Sequence, residues 1–156
     1  MVGDSNTDVR LRYLLPGDYD WVASLSDNYD RQALLKFTMD TKNFGFILDI
    51  DGSSFGYVLV ERKKDIIRIE EIVARKHPDF VYARMIVKDL QRIFEKRRID
   101  MLVPEDRSVK EMEFWTDLGF VSTGVVRTVD EDAIDYYGFK WEAGGFRPRN
   151  RISKYL

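Results

Sequence analysis

Two adjacent carboxylates, Glu70 and Glu71, stand inside the apolar run Ile66 to Ala74, whose composition marks a β-strand. A carboxylate held on a strand beside a cleft can act as a general base. The plainer reading is a solvated or ion-paired strand residue, and strand alternation sends one of the two to the opposite face. Arg75 and Lys76 follow directly, then His77, the single histidine. One histidine with only Asp79 nearby makes no metal site, so His77 reads as a surface loop residue and no metal is expected. Ser108 is a helix cap before it is a nucleophile, because no His/Asp pair accompanies it. Cysteine is absent, which removes thiolate nucleophiles, disulfides and thiolate metal sites, and fits a reducing cytoplasm.

The elements that position these residues follow from periodicity. Val9, Leu11, Tyr13 and Leu15 alternate with Arg10 and Arg12 as a strand, which Pro16-Gly17-Asp18 breaks. Asp18 is expected to cap a helix carrying Trp21, Val22 and Leu25, and a second helical stretch holds Tyr29, Ala33, Leu34 and Phe37. Phe44–Ile50 and Phe55–Val60 flank the hairpin signal Asp51-Gly52, and Ile66–Ala74 completes an antiparallel meander. After His77-Pro78, with Asp79 as cap, the spacing of Ala83, Ile86, Val87, Leu90, Ile93 and Phe94 predicts a long helix over Val81–Arg98. Met101–Val103 is a short apolar strand, expected beside Ile66–Ala74 in parallel because a helical crossover precedes it. Ser108 to Glu111 has capping-box spacing and opens a helix that Gly119 ends. Phe120–Arg127 and Ala133–Trp141 read as the last strands, joined by Asp130-Glu131-Asp132.

The 156 residues are expected to form a single domain, with residues 1–8 as a flexible N-terminus and 142–156 as a C-terminal tail. Apolar residues make up 44% and aromatics 13%, the composition of a globular chain. The formal charge is -2, so no global field draws nucleic acid or an anionic membrane. The polar start and the lack of a long apolar stretch predict no secretion and no membrane span. Arg147, Arg149, Arg151 and Lys154 make the tail basic, which reads as a solvated tail or a subunit contact compatible with a homodimer.

The order β-α-α-β-β-β-α-β-α-β-β over Val9 to about Trp141 resembles the GNAT superfamily of acyl-CoA N-acyltransferases. The resemblance is carried by Val9-Arg10-Leu11-Arg12 with Pro16-Gly17-Asp18-Tyr19, by Asp51-Gly52 followed by Gly56-Tyr57-Val58-Leu59-Val60, and most specifically by Glu113-Phe114-Trp115-Thr116-Asp117-Leu118-Gly119-Phe120. It implies an α/β (α+β) fold: a mixed, mostly antiparallel sheet flanked by helices, whose parallel fourth and fifth strands splay to admit the pantetheine arm of acetyl-CoA or another acyl-CoA. The family's phosphate loop aligns with Val81-Tyr82-Ala83-Arg84-Met85-Ile86, where Arg84 and Ile86 fill the two positions normally small. Arg84, Arg75 and Lys76 would then hold phosphates through side-chain charge.

By the same resemblance, backbone N–H groups from Val73, Ala74, Arg75 and Lys76 would polarise the thioester carbonyl. Glu70, then Glu71, would take the proton of the amine. Trp115 stands where a family tyrosine protonates the leaving thiolate; an indole N–H donates but is no usable acid, so Trp115 reads as packing or as a wall of the acyl site. Tyr136 and Tyr137 are the alternative phenols, whose plainer reading is sheet packing. The implied activity is acetyl or short acyl transfer by direct attack to a primary amine of a small molecule or peptide. The rival is a GNAT-like binding or regulatory module that no longer uses CoA.

Overall fold

Among the described residues seven strands form one sheet: β1 (Val9–Tyr13), β2 (Asn43–Ile50), β3 (Ser53–Lys63), β4 (Ile66–Ala74), β5 (Arg98–Pro104), β6 (Val121–Arg127) and β7 (Asp135–Trp141). Their order across the sheet is β1-β2-β3-β4-β5-β7-β6. Four α-helices accompany them among the described residues: α1 (Tyr19–Leu25), α2 (Arg31–Met39), α3 (Val81–Ile93) and α4 (Val109–Asp117). The computed structural model describes residues 9–104, 109–127 and 135–143, with backbone alone at 104, 125–127 and 135–137. Ser108, the acidic 130–132 turn, the N-terminal residues 1–8 and the tail beyond 143 lie outside the described residues.

The β2–β3 hairpin turns through Asp51 and Gly52, both at positive φ (51° and 84°), the left-handed pair that a two-residue turn between twisted strands requires. β3 and β4 continue the antiparallel meander, and after α3 crosses over, β5 pairs with β4 in parallel. That parallel ladder joins Ile66–Ile69 to Arg98–Met101 and stops there. Beyond it β5 pairs with β7 alone, so β4 and β5 part toward Ala74.

The sheet buries a core on each face. On the α3/α4 side Leu48, Val58, Val60, Ile67, Ile86, Leu90, Ile99 and Trp115 pack together. On the α1/α2 side the buried set is Tyr19, Val22, Leu34, Ile47, Tyr57 and Leu59. Among the described residues no helix is long and apolar enough to cross a membrane.

Several boundaries differ from the sequence reading for identifiable reasons. Helix α3 ends at Ile93 rather than Arg98, because Phe94 leaves helical geometry (φ -108°, ψ 37°) and the next four residues, Glu95-Lys96-Arg97-Arg98, offer no apolar side chain to extend the buried stripe. Arg98 instead donates its N–H to Asp65 O at 3.2 Å and opens β5, which is therefore longer than Met101–Val103. Asp18 does not cap α1: its carboxylate accepts the Leu15 N–H (2.8 Å) and two bonds from the Arg12 guanidinium (2.8 and 2.9 Å). That pairing, with Arg12, holds the Asp18 carboxyl below the usual carboxylate range. Nor is Asp79 the cap of α3; that position belongs to Phe80, in left-handed backbone at φ 54°. Gly119 does end α4, at φ 90°, with Phe120 N–H returning to Trp115 O at 3.0 Å.

Candidate functional site

The site begins with a fault in the β3–β4 ladder. Leu59 pairs with Glu71 but its neighbour Val60 pairs with Ile69, so Glu70 is an extra residue, a β-bulge. The bulge overturns the alternation expected of Glu70 and Glu71. Arg68, which lies opposite Glu61 in the ladder, bonds Glu61 at 2.7 Å and Glu70 at 3.2 Å. Glu71, next along the chain, bonds residues of the α1/α2 side. Both carboxylates therefore serve the same face. Tyr29 registers this: burial, then the charges of Glu70, Glu71 and Glu61, push its phenol upward.

The two carboxylates differ in their surroundings. Glu71 is 9% exposed and takes three neutral donors: Ser26 Oγ (2.7 Å) and Tyr57 Oη (2.7 Å) on Oε2, and Asn28 Nδ2 (2.8 Å) on Oε1. It fastens the 26–29 connection between α1 and α2 to β4. Burial and the bond to Glu71 push the Tyr57 phenol well above its ordinary range. Glu70 is exposed and, among the described residues, holds only Arg68, through Oε1. The sequence reading did not find Ser26, Asn28 or Tyr57; the polar break Ser26-Asp27-Asn28 between two helices was the available signal.

On the other face, beside the end of β4 that β5 leaves, lies a cavity of about 640 Å³. Its walls are Ile72 and Ala74 of β4, Phe80 and Ala83 at the start of α3, and Phe114 and Trp115 of α4. Arg75, Lys76, His77 and Pro78 from the β4–α3 loop and Lys110 and Glu111 from α4 complete the lining. Arg75, Lys76 and Lys110 have no carboxylate partner among the described residues. Lys110 and Phe114 were not foreseen as site residues, because α4 reaches the cavity only through tertiary packing; nor was Phe80, which occupies the cap position of α3.

Backbone polarity at the cavity is set by the ladder. Arg75 N–H is bonded to Phe55 O at 2.7 Å and Val73 pairs with Tyr57, so neither of these two N–H groups faces the gap, contrary to expectation. In an antiparallel pair the intervening residues point the other way, which directs Ile72 and Ala74 N–H away from β3, toward the departing β5. Trp115 is a buried wall with 2% exposure, and its indole N–H has no hydrogen-bond partner among the described residues.

The aligned phosphate loop divides. No side chain caps α3, so its first-turn N–H groups, at Val81, Tyr82 and Ala83, point out of the helix as an anion site. Ala83 lines the cavity, whereas Tyr82 packs on Phe55 at 4.8 Å and Met85 on the core. Ile86 is fully buried under β3 rather than standing on the loop surface. Arg84 turns away to Asp79 O (3.0 Å) and Asp117 (3.5 Å), over the Phe114 ring. Tyr136 and Tyr137 lie on β7 opposite Pro104 and Val103; their side chains lie outside the described residues.

No protein-family model matches the sequence, and no curated protein matches it. Solved structures do resemble it. A variant of the spermidine N-acetyltransferase SpeG from Vibrio cholerae superposes with a TM-score of 0.72 at 16% identity, over 91% of this chain and 98% of that one. Another SpeG variant gives 0.69 at 18%, covering 85% and 92%. A ribosomal-protein alanine N-acetyltransferase from Escherichia coli gives 0.70 at 13%, covering 92% and 98%. With its bulged fourth strand, splayed parallel pair and uncapped third helix, the chain has the fold of the GNAT N-acyltransferases.

Proposed function

We propose that the protein transfers an acetyl or short acyl group from acetyl-CoA, or another acyl-CoA, to a primary amine of a small molecule or peptide. The carrying observation is the cavity beside the end of β4 that β5 leaves, apolar within and ringed by Arg75, Lys76 and Lys110, none of them paired with a carboxylate among the described residues. That distribution fits a ligand with an apolar thioester arm and phosphates. The structural neighbours named as acetyltransferases of spermidine and of an alanine support acetyl transfer to amines.

In this reading the amine nitrogen attacks the thioester carbonyl carbon, the C–S bond breaks, and the sulfur keeps its electron pair. Ile72 and Ala74 N–H would stabilise the carbonyl oxygen as it gains charge. The amine loses its proton to Glu70, directly or through one water, because Glu70 is exposed and keeps Oε2 free of Arg68. Glu71, with three donors already in place, holds the acceptor-side loop. No protein nucleophile and no metal is required. A cytoplasmic protein without cysteine suits this chemistry, and self-association is open, one neighbour being described as dodecameric.

Calorimetric titration with acetyl-CoA and CoA, followed by a free-thiol assay against polyamines, N-terminal peptides and aminoglycosides, tests the reading. Glu70→Gln is expected to lower kcat by roughly 10²-fold with acetyl-CoA affinity nearly intact. Wild-type protein that binds no CoA at millimolar concentration would favour the binding-module reading, to which Arg84 at a loop position normally small points.

A further inference from the structure

The β4–α3 loop carries a feature that phosphate binding alone does not require. The Arg75 guanidinium lies over the Phe55 ring, 4.0 Å from its centroid, and Phe55 in turn packs on Tyr82 at 4.8 Å. Arg75 is nonetheless exposed, lines the cavity mouth, and has no carboxylate partner among the described residues. A guanidinium stacked on one face is fixed in orientation before any ligand arrives, and its other face remains open. Lys76, beside it, provides a point charge without a plane.

We propose that Arg75, backed by Phe55, is the platform on which the purine base of the acyl-CoA stacks, making it a specificity residue for the nucleotide half of the donor. The proposal rests on the acyl-CoA reading above and adds the subsite for the adenosine. Guanidinium planes and aromatic rings both stack on nucleobases, and a platform already ordered loses little entropy when the base settles. The placement suits the ligand's connectivity, with the thioester arm in the apolar cavity, the phosphates at Lys76, Lys110 and the start of α3, and the base outside.

The test compares acetyl-CoA with acetyl-4′-phosphopantetheine, which keeps the thioester arm and one phosphate but lacks the adenosine together with the other two phosphates, by calorimetric titration of the full chain, and the charge-keeping Arg75→Lys separates the base from those phosphates. Wild-type protein should prefer acetyl-CoA. Arg75→Lys, which keeps the charge and loses the plane, should weaken acetyl-CoA about 10-fold and the truncated donor less than about 2-fold. Phe55→Leu, which removes the backing ring, should act in the same direction, with thermal melts confirming that both variants fold. Equal weakening of both ligands by Arg75→Lys would make Arg75 a phosphate contact and overturn the proposal, as would unchanged acetyl-CoA affinity in both variants. A wild-type protein that binds neither ligand would overturn the acyl-CoA reading itself.

Discussion

Glu71 is the one charged side chain buried among the described residues, and every donor it meets is neutral. Burying a carboxylate is tolerable when its oxygens are satisfied, and removing one donor returns part of the desolvation penalty. Tyr57→Phe deletes the 2.7 Å bond to Oε2 and changes little else, since the ring is fully buried against Trp21 and the α1/α2 core. It is expected to destabilise the fold by about 1–3 kcal/mol at neutral pH, measured by urea unfolding. The pH dependence has a definite sign. The Tyr57 phenol is raised by burial and by the bond to Glu71, so its contribution is complete below the unfolded value, about 10, and disappears as pH rises through the folded one. Wild type should therefore lose more stability than Tyr57→Phe between pH 9 and pH 11. Equal losses would mean that the phenol carries no such linkage.

Gly56 shows how neighbouring elements share one space. A Cβ there would stand 2.8 Å from Val73 O, 3.0 Å from Ala74 Cα and 3.0 Å from Ile86 Cδ1. Two of these three atoms are backbone of β4 at the cavity wall, so relief requires moving the strand. Gly56→Ala is expected to destabilise by about 1–3 kcal/mol, and the displacement of Ala74 should weaken acetyl-CoA as well. Wild-type stability together with wild-type affinity would show that the strands yield freely. The same contact explains what was legible in the sequence. The β2–β3–β4 meander, its hairpin and the crossover to a parallel β5 followed from Asp51-Gly52 and apolar spacing, because local turn chemistry and side-chain periodicity encode them, whereas the place of β7 between β5 and β6 did not. Ile86 looked like an obstacle to phosphates because spacing does not reveal that Gly56 leaves room for it in the core. The bulge at Glu70 was equally hidden, since the register of β4 against β3 is decided by pairing rather than by either strand alone. The orientation of Arg84 depends on Asp117, 33 residues away in sequence.

Across the whole molecule, 25 basic and 27 acidic residues leave a net charge of -2, so attraction for a polyanionic donor must come from local placement. Arg75, Lys76 and Lys110 converge on the cavity mouth from two separate elements without carboxylate partners among the described residues. Exposed charges are screened over about 30 Å at 0.01 M salt and about 8 Å at 0.15 M. If these three cations hold the phosphates, acetyl-CoA affinity should fall on the order of 10-fold across that range, despite the repulsive net charge. A thioester without phosphates, such as acetyl-N-acetylcysteamine, should show almost no salt dependence. Lys110→Met removes the one of the three charges that α4 supplies and should flatten the salt dependence for acetyl-CoA. Calorimetric titration of both proteins at the two salt concentrations reads this directly. An affinity for acetyl-CoA that is insensitive to salt, or a slope unchanged by Lys110→Met, would mean that the phosphates are held elsewhere, leaving the α3 backbone and Arg84 as the remaining groups to examine.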